Sequence, residues 1–267
     1  MSFPSRLGNF VFELLPHENR YLYRFCRKVF HRANADNDDD IRTNGERVLM
    51  QRVLPKATIV FDAGANVGDW TAEALSINSQ AHYHLFEPSP TTFGYLQRRS
   101  FPANVTLNNT GLGAAEGEMD LFIYGDGLGA NSLYDRRGTD AVEQRREPVR
   151  ITTLDAYCAG CNIERIDFLK IDVEGHELQV LRGAAELLRA GRIGVIQFEY
   201  GGTYIDARGL FKDVWDLIGE LDPQRAFFKL HRDGPRHVAA YRQELETFQY
   251  SNWVIATNDE IEGLQSR

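Results

Sequence analysis

From residue 58 onward, short β-branched apolar runs alternate with segments of helical periodicity. Thr58 to Ala63 is an apolar run that ends in glycine, and Asp69 to Ile77 reads as the helix after it. His82 to Phe86 is a strand, Thr91 to Arg99 a helix, and Val105 to Asn108 a third strand. Ile166 to Ile171 and Ile193 to Phe198 are buried-looking strands, separated by a helix from Glu177 to Ala190. Phe211 to Leu221 is a helix, and Ala226 to Leu230 and Trp253 to Thr257 are the closing strands. Strands that alternate with helices predict an α/β fold with a mostly parallel sheet covered on both faces.

Two regions depart from that alternation. Residues 1–57 read as a mainly helical N-terminal extension before a domain that spans 58–267. Tyr21 to Arg32 mixes aromatic and basic residues at helical spacing, Asn34 to Asp40 is a polar loop, and Arg47 to Val53 is a short helix stopped by Pro55. In the middle, Met119 to Tyr124 and Val149 to Leu154 pair as strands with no helix between them. The glycine-rich, charged stretch Gly125 to Glu147 makes this insertion, at about 117–150, a hairpin with a mobile, lid-like loop.

Composition adds few restrictions. The apolar share is 43% and the charged share 25%, ordinary for a globular chain. A formal charge of -8 excludes a global basic field for nucleic acid. Arg20, Arg24, Arg27 and Lys28 form a local basic group that reads as a solvated helix face. The longest apolar stretch is far shorter than the roughly 20 residues of a membrane span. Met1 to Arg20 has no signal-peptide core, so a cytoplasmic location is expected. The three cysteines argue against a disulfide framework, and the CxxC pair Cys158 and Cys161 reads as incidental residues of a loop.

The chemistry concentrates at strand ends. Asp62-Ala63-Gly64-Ala65-Asn66-Val67-Gly68 follows a strand and opens a helix, so its glycines let backbone approach a ligand closely. The spacing is GxxxG, not the GxGxxG of dinucleotide sites. Asp62 would repel a pyrophosphate and suits a positively charged ligand, such as the methionine ammonium of S-adenosylmethionine (SAM). Glu87, closing the second strand roughly 20 residues on, suits ribose hydroxyls. The strand that ends in Lys170-Ile171-Asp172-Val173-Glu174-Gly175-His176-Glu177 carries a dense ionisable set, and Glu199 ends the next strand. Ligands of open parallel sheets lie beyond such carboxyl ends. His82 and His84 read as sheet-surface residues, and His231 and His237 as residues around a turn.

Together these motifs resemble the FkbM family of SAM-dependent methyltransferases. The likeness runs through Asn44-Gly45-Glu46, the Asp62 to Gly68 loop, Phe86-Glu87-Pro88, Thr153-Leu154-Asp155, the Asp167 to Glu177 block, and Ser251-Asn252-Trp253. It implies a Rossmann-like class I methyltransferase fold and O-methylation of a sugar, glycolipid or natural product. On that analogy SAM is held by Asp62, Gly64, Asn66, Gly68 and Glu87, with the stretch Asn109 to Leu112, including Thr110, near the adenine.

In-line methyl transfer requires the acceptor oxygen to be positioned and its proton removed. Asp172 is the first candidate for that role, His176 the second and Glu199 the third. Asp172 and Glu199 also suit magnesium, which is the less favoured reading. Two alternatives from other classes stand beside the transferase: an NAD-dependent oxidoreductase and a non-catalytic SAM-fold binding protein.

Overall fold

The computed structural model describes residues 19–127, 129–136, 143, 145–257 and 260. An eight-stranded sheet forms the centre. Its strands are β1 (Ile59–Ala63), β2 (His82–Phe86), β3 (Val105–Asn108), β7 (Ile166–Ile171), β8 (Ile193–Tyr200), β9 (Arg225–His231), β10 (Gly234–Val238) and β11 (Ser251–Thr257). The spatial order is β10-β9-β11-β8-β7-β1-β2-β3. Strands β3, β2, β1, β7 and β8 are parallel, and β11, β9 and β10 continue the sheet by antiparallel pairing. This is a Rossmann-like arrangement. Successive strands leave β1 first toward β3 and then, from β7, toward the other edge. That reversal opens a crevice at the carboxyl ends of β1 and β7, where an open α/β sheet binds its ligands.

The helices α1 (Arg20–Asn34) and α2 (Glu46–Val53) precede the sheet. Next come α3 (Asp69–Ile77), α4 (Pro90–Gln97), α5 (Leu154–Cys161), α6 (Glu177–Arg182), α7 (Ala185–Arg189), α8 (Thr203–Asp206) and α9 (Phe211–Leu221). Local chemistry sets their starts. The Asn19 side chain accepts from the amides of Tyr21 and Leu22 at the start of α1. Ser89 caps α4, whose first residue is Pro90, and Thr153 caps α5. One buried cluster lies on each face of the sheet: Phe61, Phe198, Phe211 and Trp253 on one, and Val60, Tyr83, Phe168 and Phe228 on the other. Alternating side chains of the same strands feed both, which is why β7 and β8 are apolar nearly throughout.

The inserted hairpin is β5 (Gly117–Ile123) with β6 (Arg145–Thr152), and β4 (Gly111–Leu112) joins it in a separate three-stranded sheet. Leu121, Ile123, Val149 and Ile151 give it a small core of its own.

Three expectations are corrected. Cys158 and Cys161 sit in α5, not in a loop, with Cys158 buried and Cys161 exposed. The single helix expected over Glu177 to Ala190 is broken into α6 and α7. Gly183 marks the break, and a Cβ there would stand 2.0 Å from the carbonyl oxygen of Gly113. That close approach of the hairpin's base fixes the chain direction at a point where periodicity alone favours continuation. The two closing strands expected over Ala226 to Leu230 and Trp253 to Thr257 are joined by a third, β10, because the expected turn around Asp233 is the bend of a β9–β10 hairpin that extends the sheet edge.

Phe211 is fully buried among aromatic rings, with its centroid 4.2 Å from Trp253 and 5.3 Å from Tyr200. Truncating such a residue leaves a cavity. Phe211→Ala should lower unfolding free energy by about 3–5 kcal/mol. Chemical denaturation measures this, and a loss below about 1 kcal/mol would mean that the ring does not hold α9 to the sheet.

Candidate active site

A cavity of about 810 Å³ lies along the carboxyl edge of the parallel strands. Its lining follows the strand order. Gly111 and Leu112 come after β3, Glu87 and Pro88 after β2, and Gly64 and Asn66 after β1. Asp172 to Glu174 follow β7, Glu199 lies near the end of β8, Gly201 to Thr203 follow it, and Tyr250 precedes β11.

The centre of this row is tightly built. Gly64 has φ +83, and a Cβ on it would stand 1.8 Å from the carbonyl oxygen of Asp172. Only glycine lets the loop after β1 lie against the loop after β7. Asp172 N donates to Ala63 O at 2.9 Å and completes that contact. Asn66 also has a left-handed backbone, and its buried side-chain oxygen has no hydrogen-bond partner. Glu87 lies 7% exposed and accepts from the amides of Asn66 at 3.0 Å and Ser89 at 2.9 Å. Burial pushes its carboxyl up to about 7, against those two amide bonds.

Beneath the cavity, one buried ammonium gathers several carboxylates. Lys170 Nζ lies 3.0 Å from Asp172 Oδ2 and 3.6 Å from Asp62 Oδ1, over the ring of Trp70. Burial opposes its charge, but Asp172, Asp62 and Glu46 together raise its pKa above the ordinary lysine value. Glu46 joins the group from α2. It accepts from Gln197 Nε2 at 2.6 Å and Asn44 Nδ2 at 2.7 Å, and burial raises its pKa. Glu199 is raised well above the usual carboxylate range by burial and then by Asp172 and Glu174. Burial and the negative charge of Asp172 push Glu174 up to about 8, opposed by Arg136 at 3.4 Å. Among the described residues, no group of three or more His, Cys, Asp or Glu side chains is arranged to hold a metal ion.

The predicted residues therefore divide. Gly64, Asn66, Glu87, Asp172, His176 and Glu199 all line one cavity. Asp62 is not in the lining. It is fully buried, accepts from Thr71 Oγ1 at 2.7 Å and faces Lys170, so it acts from below the floor. Gly68 is also displaced: it caps α3 and faces Leu96 and Phe101. Thr110 turns away toward the Arg150 carbonyl, and its neighbours Gly111 and Leu112 reach the cavity instead. The left-handed turns at Gly64, Asn66 and Gly68 set each direction, which spacing alone does not assign.

The sequence model of the Methyltransferase FkbM domain matches residues 62–229, from the end of β1 to β9. The chain belongs to the FkbM methyltransferase family. The hexuronic acid methyltransferase AglP of Haloferax volcanii is 26% identical over 193 residues, covering 71% of this chain and 74% of that protein. The 2-O-methyltransferase NoeI of Sinorhizobium fredii is 25% identical over 149 residues, covering 50% of this chain and 60% of that protein. A crystal structure of an FkbM methyltransferase from Methylobacillus flagellatus KT aligns with a TM-score of 0.47 and 15% identity, covering 74% of this chain and 43% of that one.

In this FkbM-family chain His176 differs most from its expected role. It is 4% exposed, its Nδ1 lies 2.8 Å from the Tyr134 hydroxyl, and burial pushes its pKa down to about 4. A neutral, bonded imidazole is a weak base at pH 7. Tyr134 belongs to the insertion. The described part of that loop is docked: Ser132 Oγ donates to the Glu174 carbonyl at 2.7 Å, and Arg136 pairs with the Glu174 carboxylate. Residues 128, 137–142 and 144 of the expected lid lie outside the described residues.

Sequence reasoning gave no role to Lys170, Glu46, Tyr250 or Arg136. Lys170 alone had a legible signal, as a charge inside an otherwise apolar strand. The other three reach the site from distant segments.

The acidic cluster fixes a pH dependence. Glu87 and Glu177 are raised to about 7 and Glu174 to about 8, so between about pH 4.5 and 8 the folded chain binds more protons than the unfolded one. Stability is then lost as pH rises through that window. His176 acts oppositely, adding stability between about pH 4 and 6.5, and is finished above it. The melting temperature of the ligand-free protein should fall between pH 6.5 and 8.5, and Glu174→Gln should reduce the fall. Scanning calorimetry tests this, and a flat or rising melting temperature across that interval would contradict it.

Proposed function

We propose that the chain transfers the methyl group of SAM to a hydroxyl of a sugar, glycolipid or natural-product acceptor. One observation carries the reading. A glycine-floored cradle with buried acceptors, at β1 and β2, shares a single cavity with a carboxylate cluster at β7 and β8. The residues fit the cofactor. Asn66 presents an unpartnered buried oxygen, and Glu87 keeps acceptor capacity beyond its two amide bonds. Both suit hydroxyl and ammonium donors, whereas the Glu87 carboxylate would repel a pyrophosphate. Family membership likewise leaves the oxidoreductase alternative without support.

When bound, SAM supplies a methyl carbon made electrophilic by a cationic sulfur. The chain's own part is to position the acceptor and manage one proton. Asp172 is 29% exposed at the side chain and faces the cavity, with Lys170 at its far side. Its carboxylate accepts the acceptor's O–H and fixes the direction of the oxygen lone pair. Lys170 keeps Asp172 in place and compensates the charge around it. Asp172 takes that proton as the acceptor oxygen is methylated, while Glu174 and Glu199, raised by burial and then by Asp172, hold their own protons to higher pH than ordinary carboxylates and so limit the negative charge around it. His176 orients the Tyr134 segment rather than taking the proton. The names of AglP and NoeI, which speak of a hexuronic acid and of 2-O-methylation, support a carbohydrate acceptor over the other two classes.

Incubation with labelled SAM and a panel of sugar nucleotides and uronic-acid saccharides tests the reaction. Label should appear on an acceptor oxygen. S-adenosylhomocysteine binding without turnover on any acceptor would favour the non-catalytic alternative. Two variants test the assignments. Glu87→Ala should weaken S-adenosylhomocysteine binding by about 1.5–3 kcal/mol, and unchanged binding would remove Glu87 from the site. Asp172→Asn should keep that binding but lower turnover about 10²–10⁴-fold. His176→Ala should act more on melting temperature than on rate. Near-wild-type turnover in Asp172→Asn, at saturating acceptor, would sink the role given to this residue.

A further inference from the structure

Helix α1 is amphipathic and stands apart from both cores. None of its residues is buried. Leu22, Phe25, Cys26, Val29, Phe30 and Ala33 recur at the spacing that gathers side chains on one face. Phe25 is 66% exposed, Val29 51% and Phe30 55%. The opposite face carries Arg20, Arg24, Arg27, Lys28 and Arg32, and the helix holds no acidic residue. Among the described residues, no carboxylate pairs with any of those five cations. Arg27 lies over the Tyr23 ring, 5.6 Å from its centroid, and the exposed apolar face is what water penalises, so a basic face beside it suits a counterpart that is both anionic and apolar.

We infer that α1 is an interfacial anchor for an anionic lipid bilayer. An in-plane helix buries its apolar face at the level of the acyl boundary, while long basic side chains reach the headgroups. Charge complementarity selects the occupant. The chain as a whole carries -8, so the rest of its surface is repelled by anionic lipid and α1 is attracted. Such a field also sets orientation. The end of the helix is tied to the body: Lys229 pairs with Asp36 at 2.5 Å, and Asn37 N donates to Tyr250 O at 2.8 Å. Tyr250 and the following Asp39 to Arg42 line the cavity. A membrane that holds α1 therefore lies beside the cavity's rim, within reach of acceptors carried on lipid. The anchoring itself does not depend on the proposed methyl transfer.

The test uses the full chain with a polarity-sensitive fluorophore on Cys26, in a Cys161→Ser background where Cys158 is buried. Vesicles of phosphatidylcholine alone are compared with vesicles that also contain phosphatidylglycerol, with co-sedimentation in parallel. The expected result is binding and a blue shift with the anionic vesicles only, suppressed by high salt. Phe25→Ser with Val29→Ser should weaken binding at least about tenfold. Arg24→Glu with Lys28→Glu should do the same. The melting temperature should stay unchanged in both, because neither pair touches a core. No binding to anionic vesicles, equal binding to phosphatidylcholine, or unaltered binding in the variants would overturn the inference. So would a blue-shifted emission without vesicles, because a second copy or residues 1–18 would then cover the face.

Discussion

The buried ammonium of Lys170 is the interaction on which the site depends. It sits in the middle of an apolar strand, against Asp172 and Asp62, and its charge also reaches Glu46. Without it, β1, β7 and α2 would bring carboxylates together in a medium that penalises each one. With it, the strands can approach closely enough for the loop after β1 to touch the loop after β7. The Gly64 contact with Asp172 depends on that approach. Lys170 does not offset every acid around it, and burial, with the charge of Asp172 added, raises Glu174 and Glu199.

That imbalance connects fold to function. A site with excess buried carboxylate favours cationic or hydroxyl-bearing ligands and keeps protons available near neutrality. The same electrostatics make the site a source of instability at higher pH. Tight packing of the insertion follows a related logic. Ser132, Tyr134 and Arg136 satisfy groups of the Glu174–His176 turn that would otherwise face an open cleft. The hairpin thus closes one wall of the cavity, and its base at Gly113 bends the α6–α7 segment through Gly183.

The sequence was most legible where neighbours along the chain decide the outcome. Strands β1, β2, β3 and β7 and helices α3 and α9 show clear periodicity and clear ends, and the structure places them where that pattern does. Legibility failed where two distant segments compete for space, as at the α6–α7 break. Which residues face the cavity was not legible either: Asp62, in β1, and Gly68 and Thr110, in the loops after β1 and β3, lie outside its lining. The histidine at 176 looked like a base because imidazole titrates near neutrality, and burial beside Tyr134 removes that property.

What the sequence by itself determined is the α/β class, the strand ends that carry chemistry and the family. Those follow from local spacing, since a glycine loop between strand and helix has few other uses. Only the tertiary structure decided which acids share one ammonium. Glu46, Tyr250 and Arg136 come from segments far from β7 in the chain, and their effect falls off within a few ångströms. No linear pattern encodes that proximity. Burial decided the rest, because the charge state of Glu174 and His176 depends on how much water the packed elements exclude.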